Sequence, residues 1–266
     1  MIITKEILLI LIAVLLVCTI GFKKYVWFIS LGYGFSITAI GIMQLILFKD
    51  KNPALILSSI IFIIYGLRLG GFLAYRELKS TTYNRKMKSE ISDGSHMTIL
   101  LKIMLWISCA LLYLLMTSPV IYRFVNNDKL DTVFLIGMII TITGIIIESL
   151  SDYQKNKSKK KNPNRFCDTG LFKIVRCPNY LGELIIWLGV FISGFSTLQG
   201  IGQWLIAIIG FLGIVYIMFS GARRLELRQD RTYKDDKEYQ KYIKTTPILI
   251  PLMPLYSVKK HKWLVG

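Results

Sequence analysis

Long uncharged apolar runs, broken by short clusters of Lys and Arg, set the pattern of this chain. A helix needs about 20 mostly apolar residues to cross a hydrocarbon core of roughly 30 Å, so each run reads as a candidate span. Residues 7–22 form the first run, ending at Lys23 and Lys24; residues 27–48 and 54–75 follow, the latter carrying Arg68 near its end. Residues 103–122 and 132–150 are the fourth and fifth, with Glu148 in the last turn of the fifth. From Leu184 to Ala222 there are 39 residues without a charge, a helix of about 58 Å if unbroken. That length requires a turn, and residues 194–202 supply the glycines and polar residues for one. The pattern predicts an all-α integral membrane protein, a bundle of seven transmembrane helices.

Charge orients the bundle. Placing the amino terminus outside puts Lys23-Lys24 and the segments 76–88, 155–176 and 223–262 on the cytosolic side, and these hold 26 of the 33 basic residues. Lys5, Lys49, Lys51, Arg123 and Lys129 remain outside, as the preference for cytosolic Lys and Arg requires. The carboxyl terminus is then cytosolic, and residues 1–266 read as one membrane domain whose cytosolic tail is 223–266. A composition 53% hydrophobic and 18% charged excludes a disordered or water-soluble chain. The formal net charge of +17 sits beside lipid-embedded runs and so reads as topology and lipid contact, with no nucleic-acid partner.

Lys5 ahead of an apolar core has the shape of a signal peptide, but Val17 before Cys18 is too large for a lipoprotein cleavage box, so the first run is read as a retained helix. Residues 94–97, Gly-Ser-His-Met, match a cloning scar yet lie mid-chain and are read as native. Cys18 and Cys109 fall in apolar runs, and Cys167 and Cys177 in a segment predicted to be cytosolic, so no disulfide is expected. Two cysteines ten apart, with His96 and His261 far off, do not make a metal site.

The polar residues that crowd the membrane edge are the informative ones. Glu148 and Asp152 stand four apart and share a helix face at the cytosolic end of span five. Glu183 opens an apolar helix, with Pro178 and Asn179 where helix starts favour proline and a capping side chain. Each carboxylate alone fits a helix-end charge. Several ionisable groups at one level of a membrane point to a polar cavity, because each costs about 2.5–3.5 kcal/mol at mid-membrane.

The combination is familiar. Gly170-Leu-Phe172, then Arg176-Cys-Pro-Asn179-Tyr180-Leu-Gly182-Glu183, with Glu148-x-x-x-Asp152-x-Gln154 upstream and a tail that runs through Tyr242 to Pro251, resembles the steroid 5-alpha-reductase family and its bacterial membrane relatives. The resemblance covers about residues 130–255, with an echo from Tyr65-Gly-Leu-Arg68 to Arg76. It implies a seven-helix membrane reductase that binds NADPH from the cytosolic side and saturates a carbon–carbon double bond conjugated to a carbonyl in a lipid or steroid-like substrate. Carried over by position, Asp152, Arg165, Asn179 and one of Arg223 or Arg224 touch the dinucleotide, Glu148 faces it, and Tyr180 and Glu183 belong to the same motif. Tyr65 matches the catalytic tyrosine. Many relatives pair that tyrosine with a carboxylate on span two, whereas residues 27–48 contain none and offer Gln44 as the one long polar side chain.

Physical chemistry agrees at the cofactor end. Phosphates need fixed cationic donors, and Arg68, Arg76, Arg165, Arg176, Arg223 and Arg224 all lie at the predicted cytosolic edge. Asn179 suits an amide, and Asp152 and Glu148 suit ribose or amide donors. The alternative is an S-adenosylmethionine-dependent membrane methyltransferase of the isoprenylcysteine or phospholipid type, which shares the Arg-x-Pro-x-Tyr motif. A transporter or scaffold is disfavoured because the charges cluster at one face and no pair of broken helices is apparent. A lipid substrate and membrane lipids are the expected partners, with no obligate protein partner evident. The composition fits a bacterial plasma membrane with the site open to the cytosol.

Overall fold

The computed structural model describes residues 2–79 and 97–265. The rest of the basic segment 76–88, and residues 94–96 of the Gly-Ser-His-Met stretch, lie outside the described residues. Among the described residues the regular structure is entirely helical: α1 (Lys5–Cys18), α2 (Val26–Ile29), α3 (Leu31–Leu47), α4 (Pro53–Lys79), α5 (Ile99–Val125), α6 (Thr132–Lys161), α7 (Pro178–Ser193), α8 (Gly200–Tyr233) and α9 (Lys237–Thr245).

Helix starts follow local chemistry. Side-chain oxygens of Thr4, Asn52, Thr98, Asp131 and Asp236 accept backbone N–H bonds from the first turns of α1, α4, α5, α6 and α9, satisfying donors that a helix leaves without partners. Pro178 opens α7, where its missing N–H is not needed.

Five helical segments among the described residues are long and apolar enough to cross a membrane: Lys5–Phe22, α4, α5, α6 and α8. This makes the chain an integral membrane protein. The predicted span over 27–48 is broken at Ser30, leaving the 17-residue α3, and the predicted sixth span is the 16-residue α7. At 1.5 Å per residue both fall several ångströms short of a 30 Å core. The long uncharged run does stop being helical where expected, between Ser193 and Gly200, with Gly200 at φ +62°.

The chain divides into two compact units. The first comprises Met1–Leu135 and Phe191–Gly210, the second Ile136–Val190 and Phe211–Gly266. In the first unit α3 and α4 touch backbone to backbone. A Cβ on Gly34 would lie 2.5 Å from the Gly70 nitrogen, and one on Gly66 2.5 Å from the Gly34 carbonyl oxygen. Such contact through small residues is how helices associate in lipid, where the hydrophobic effect supplies no force between them. Arg123, fully buried, is neutralised within the same unit. It donates to the Ser193 carbonyl at 3.0 Å and the Ser196 hydroxyl at 2.8 Å, pairs with Asp131 at 2.9 Å and lies 4.9 Å over the Phe134 ring. In the second unit the residues after α9 fold back along α8, and Cys177, Ala222, Ile248, Leu249, Val258 and Leu264 form a buried core.

Candidate functional site

In the second unit the same small-residue device sets α6 against α7. A Cβ on Gly144 would sit 2.6 Å from the Ile186 nitrogen, one on Gly182 2.7 Å from the Glu148 nitrogen, and one on Gly189 2.5 Å from the Gly137 carbonyl. These contacts fix an antiparallel register in which Glu148 faces Gly182. One turn further along α6 and one turn back along α7, that register sets Asp152 level with Pro178 and Asn179. Glu148, Asp152, Asn179 and Glu183 are thereby brought to one end of the helix pair. Glu148 and Glu183 are buried, Asp152 and Asn179 half-buried, and the Trp187 indole donates to Glu183 at 3.0 Å. Tyr180 turns the other way, its ring 3.3 Å from where a Cβ on Gly221 of α8 would be.

The arginines of this unit separate by what holds them. Arg176 is buried and pairs with Glu226 at 2.9 Å, and the same Nη2 donates to the Tyr256 carbonyl. Its Nε and Nη1 are buried and make no hydrogen bond, as are Asn179 Oδ1 and Ser220 Oγ. Arg165, partly exposed, bridges Asp168 at 2.7 Å and Glu238 of α9 and stacks 4.9 Å over Phe166. Glu238 first and Asp168 second raise its guanidinium above its ordinary value. Arg223 donates to the carbonyls of Lys259 and Leu264, and Arg224 is exposed on α8.

The loop between α6 and α7 is clamped from both ends. Gln154 accepts the Leu171 N–H at 2.9 Å, and its side chain occupies the space a Cβ on Gly170 (φ +61°) would need, at 2.4 Å. The loop's Phe166 stacks on Tyr242 of α9 at 5.2 Å, and Tyr242 donates to the Phe172 carbonyl at 2.6 Å. Burial pushes the Tyr242 phenol upward, so it stays a donor. Burial also pushes the Cys177 thiol up to about 12, which makes it an inert packing residue.

Tyr65, Arg68 and Arg76 belong to the first unit, all on α4. Tyr65 is buried, and its hydroxyl lies 2.8 Å from that of Tyr33 on α3. The Arg68 guanidinium sits 5.9 Å from the Tyr65 ring centroid, and Arg76 5.9 Å from that of Phe72. Tyr33 packs at 5.2 Å on Tyr113, whose hydroxyl donates to the Phe28 carbonyl at 2.8 Å. Gln44, the long polar residue of span two, is buried elsewhere on α3 and accepts from Ser59 at 3.2 Å. Sequence reasoning passed over Tyr33 because it searched that span for a carboxylate; a phenol one turn from the helix start carries no local sign of its partner. It also passed over Glu226, whose one signal was its position three residues after Arg223.

A family model described as "Protein of unknown function (DUF1295)" matches residues 18–246. The chain is also similar to the steroid 5-alpha-reductase DET2 of Arabidopsis thaliana, at 42% identity over 74 residues. That match spans 27% of this chain and 28% of the relative. No solved structure matches.

Proposed function

The chain belongs to the DUF1295 family, and from that membership and its similarity to a plant steroid 5-alpha-reductase we propose a membrane-embedded reductase. It uses NADPH to saturate a carbon–carbon double bond conjugated to a carbonyl in a lipid or steroid-like substrate. In the same proposal α3 and α7 complete seven spans, the amino terminus lies outside and the cofactor enters from the cytosol.

The observation that carries the cofactor assignment is that several buried polar atoms of the second unit make no hydrogen bond, among them Asn179 Oδ1, Ser220 Oγ, and Arg176 Nε and Nη1. Buried polar groups in proteins are almost always satisfied, so such atoms mark a place where a polar ligand completes the network. Asn179 accepts from an amide, Ser220 exchanges bonds with a hydroxyl, and Arg176 donates to an anionic oxygen. Asp152 and Glu148, on the facing helix, accept from ribose or amide groups. Arg224, exposed one turn beyond Ser220, offers its guanidinium to a phosphate. Arg165 and Arg223 serve differently, because their donors already hold α9 and the carboxyl-terminal segment.

When bound, NADPH supplies the hydride. Negative charge then develops on the carbonyl oxygen of the acceptor, and a preorganised hydroxyl in a dry site stabilises it. We assign that role to Tyr65. Its hydroxyl lies 2.8 Å from that of Tyr33, and Tyr113 packs behind Tyr33 at 5.2 Å, so the position of the pair is fixed by packing. Burial without charge suits this task, since a neutral pair avoids the desolvation of an ion.

The experiment is thermal melting of the detergent-solubilised protein titrated with NADPH and, separately, with S-adenosylmethionine. A ligand that binds only the folded state at 100 times its Kd adds about 2.7 kcal/mol, so NADPH should raise Tm by several degrees while the methyl donor leaves it unchanged. Stabilisation by S-adenosylmethionine and no response to NADPH rejects the proposal.

A further inference from the structure

One face of α8 organises everything that follows α9. Tyr216, Phe219, Arg223, Glu226 and Asp230 recur at spacings of three and four and so lie on a single stripe. Tyr216 donates to the Trp263 carbonyl at 3.0 Å and accepts the Val265 N–H at 3.3 Å. Arg223 donates to the carbonyls of Lys259 and Leu264, at 3.2 and 3.1 Å. Glu226 accepts the N–H groups of Val258 and Lys259, at 2.9 and 3.1 Å, and Asp230 accepts from the Lys259 ammonium at 2.8 Å. The backbone of residues 258–265 is thus tied to the helix by side chains and by its own short turns, with no helix or strand.

Between this segment and α8 lies a groove of about 370 Å³, within the size range of small-molecule sites. Leu212, Val215 and Phe219 form one wall, Leu255, Trp263 and Leu264 the other. Leu212 is eleven residues before Arg223, so the groove extends about 16 Å from the first charge of α8 into its uncharged part. The groove therefore runs alongside a stretch that faces acyl chains. Trp263 and Val265 are 65% and 74% exposed there, which suits lipid contact and would be unfavourable in water. The segment that makes the outer wall contains Lys259, Lys260, His261 and Lys262 and no acid. Lys259 is held by Asp230, whereas Lys260 and Lys262 are exposed.

We propose that this groove is a binding site for an anionic phospholipid: one acyl chain lies along Leu212, Val215 and Phe219, and the headgroup phosphate meets Lys260 and Lys262. The arrangement joins an apolar channel, a Trp and a Tyr of the kind that settle at membrane boundaries, and cations beside them. A zwitterionic lipid presents its phosphate together with a quaternary ammonium that the lysines repel, and a soluble phosphate would leave the channel unfilled. The site is separate from the cofactor residues proposed above and does not depend on the reductase reading.

The test uses the full chain, delipidated in a neutral detergent, with phosphatidylglycerol, phosphatidylcholine of the same chains, glycerol 3-phosphate and inorganic phosphate as probes. Binding is followed by native mass spectrometry and by Tm. Phosphatidylglycerol should bind at least ten-fold more tightly than phosphatidylcholine and raise Tm, while the two soluble phosphates do neither. The double variant K260Q/K262Q alters exposed side chains and should fold normally while losing that ten-fold preference, each cation near a headgroup contributing about five-fold. Val215→Trp, which fills the channel, should weaken both phospholipids equally. Equal affinity for the two phospholipids, an unchanged preference in K260Q/K262Q, or a response to soluble phosphate as large as that to the lipid would overturn the proposal. The double variant decides the matter even where Val215→Trp fails to fold.

Discussion

Two helix pairs in this molecule use one packing device for different chemistry. In the first unit α3 and α4 meet through Gly34, Gly41, Gly66 and Gly70, and the polar pairs buried beside that seam include the neutral Tyr33–Tyr65 hydroxyl pair and the Gln44–Ser59 bond, with the Arg68 guanidinium 5.9 Å from the Tyr65 ring. In the second unit α6 and α7 meet through Gly144, Gly182 and Gly189, and the polar groups at their end are Glu148, Asp152, Asn179 and Glu183. Glycine lets backbones approach until side chains one turn away are forced to a shared level. What stands at that level then decides the role. Neutral hydroxyls buried with one another can polarise a carbonyl, whereas carboxylates and an amide at the end of a span suit a hydrophilic ligand arriving from water.

The largest effects should come from the seams themselves. Gly66→Val puts carbon about 2.5 Å from the Gly34 carbonyl and Thr38, and Gly182→Val does the same to Glu148. Each should cost about 3 kcal/mol or more, seen as loss of the monodisperse detergent-solubilised peak. Gly71→Ala, with no atom within 4 Å, is the control and should be neutral or slightly stabilising. Equal tolerance at positions 66, 71 and 182 would contradict the idea that close approach builds the two clusters.

Removal of the neutral donor comes next. Tyr65→Phe should lower turnover of an enone substrate about 100-fold, the scale for one charge-stabilising donor, with NADPH affinity intact. Tyr33→Phe should fall between this variant and wild type. Turnover unchanged in both removes the pair from the mechanism. On the charged side, Asp152→Ala and Asn179→Ala should each weaken NADPH binding about ten-fold, or about 1.4 kcal/mol, by isothermal calorimetry, and leave Tm without ligand close to wild type. Affinity preserved in both variants, and in Arg224→Ala, sinks the cofactor assignment.

The smallest effect concerns acid. Burial raises the Asp131 carboxyl, but bonds from the Phe134 N–H, Ser196 and Arg123 outweigh it and hold the group below its ordinary value. A carboxyl depressed in the folded state contributes stability that is present above its unfolded pKa of about 3.9 and is lost as pH falls through the folded value. Asp131→Asn should therefore flatten the fall in Tm below pH 4. An acid limb as steep as that of wild type would assign the sensitivity to other carboxylates.

Much of the helical layout was legible because burial in lipid demands long apolar runs whatever they pack against. The stop between Ser193 and Gly200 and the start at Pro178 follow from residue type alone. The break at Ser30 was not legible, since the residues around it are as apolar as a continuous span. At the candidate site, the four-residue spacing of Glu148 and Asp152 showed that they share a face, but not that Gly182 would face the first of them. The arginines were the hardest to read. Position at a membrane edge does not distinguish Arg223, occupied with the carbonyls of the carboxyl-terminal segment, from Arg224, exposed one residue later.

The amino-acid sequence by itself determined that this is a helical membrane protein, where its long spans lie and which polar residues sit near their ends. Those properties depend on apolar length and on one-dimensional spacing. Only the tertiary structure decided that Tyr65 is paired with Tyr33, that Arg176 is held by Glu226, and that residues 258–265 lie along α8 over an apolar groove. The reason is physical: a hydrogen bond or ion pair between residues 32 or 50 apart in the chain exists only when packing brings their helices together, and no local propensity encodes that approach.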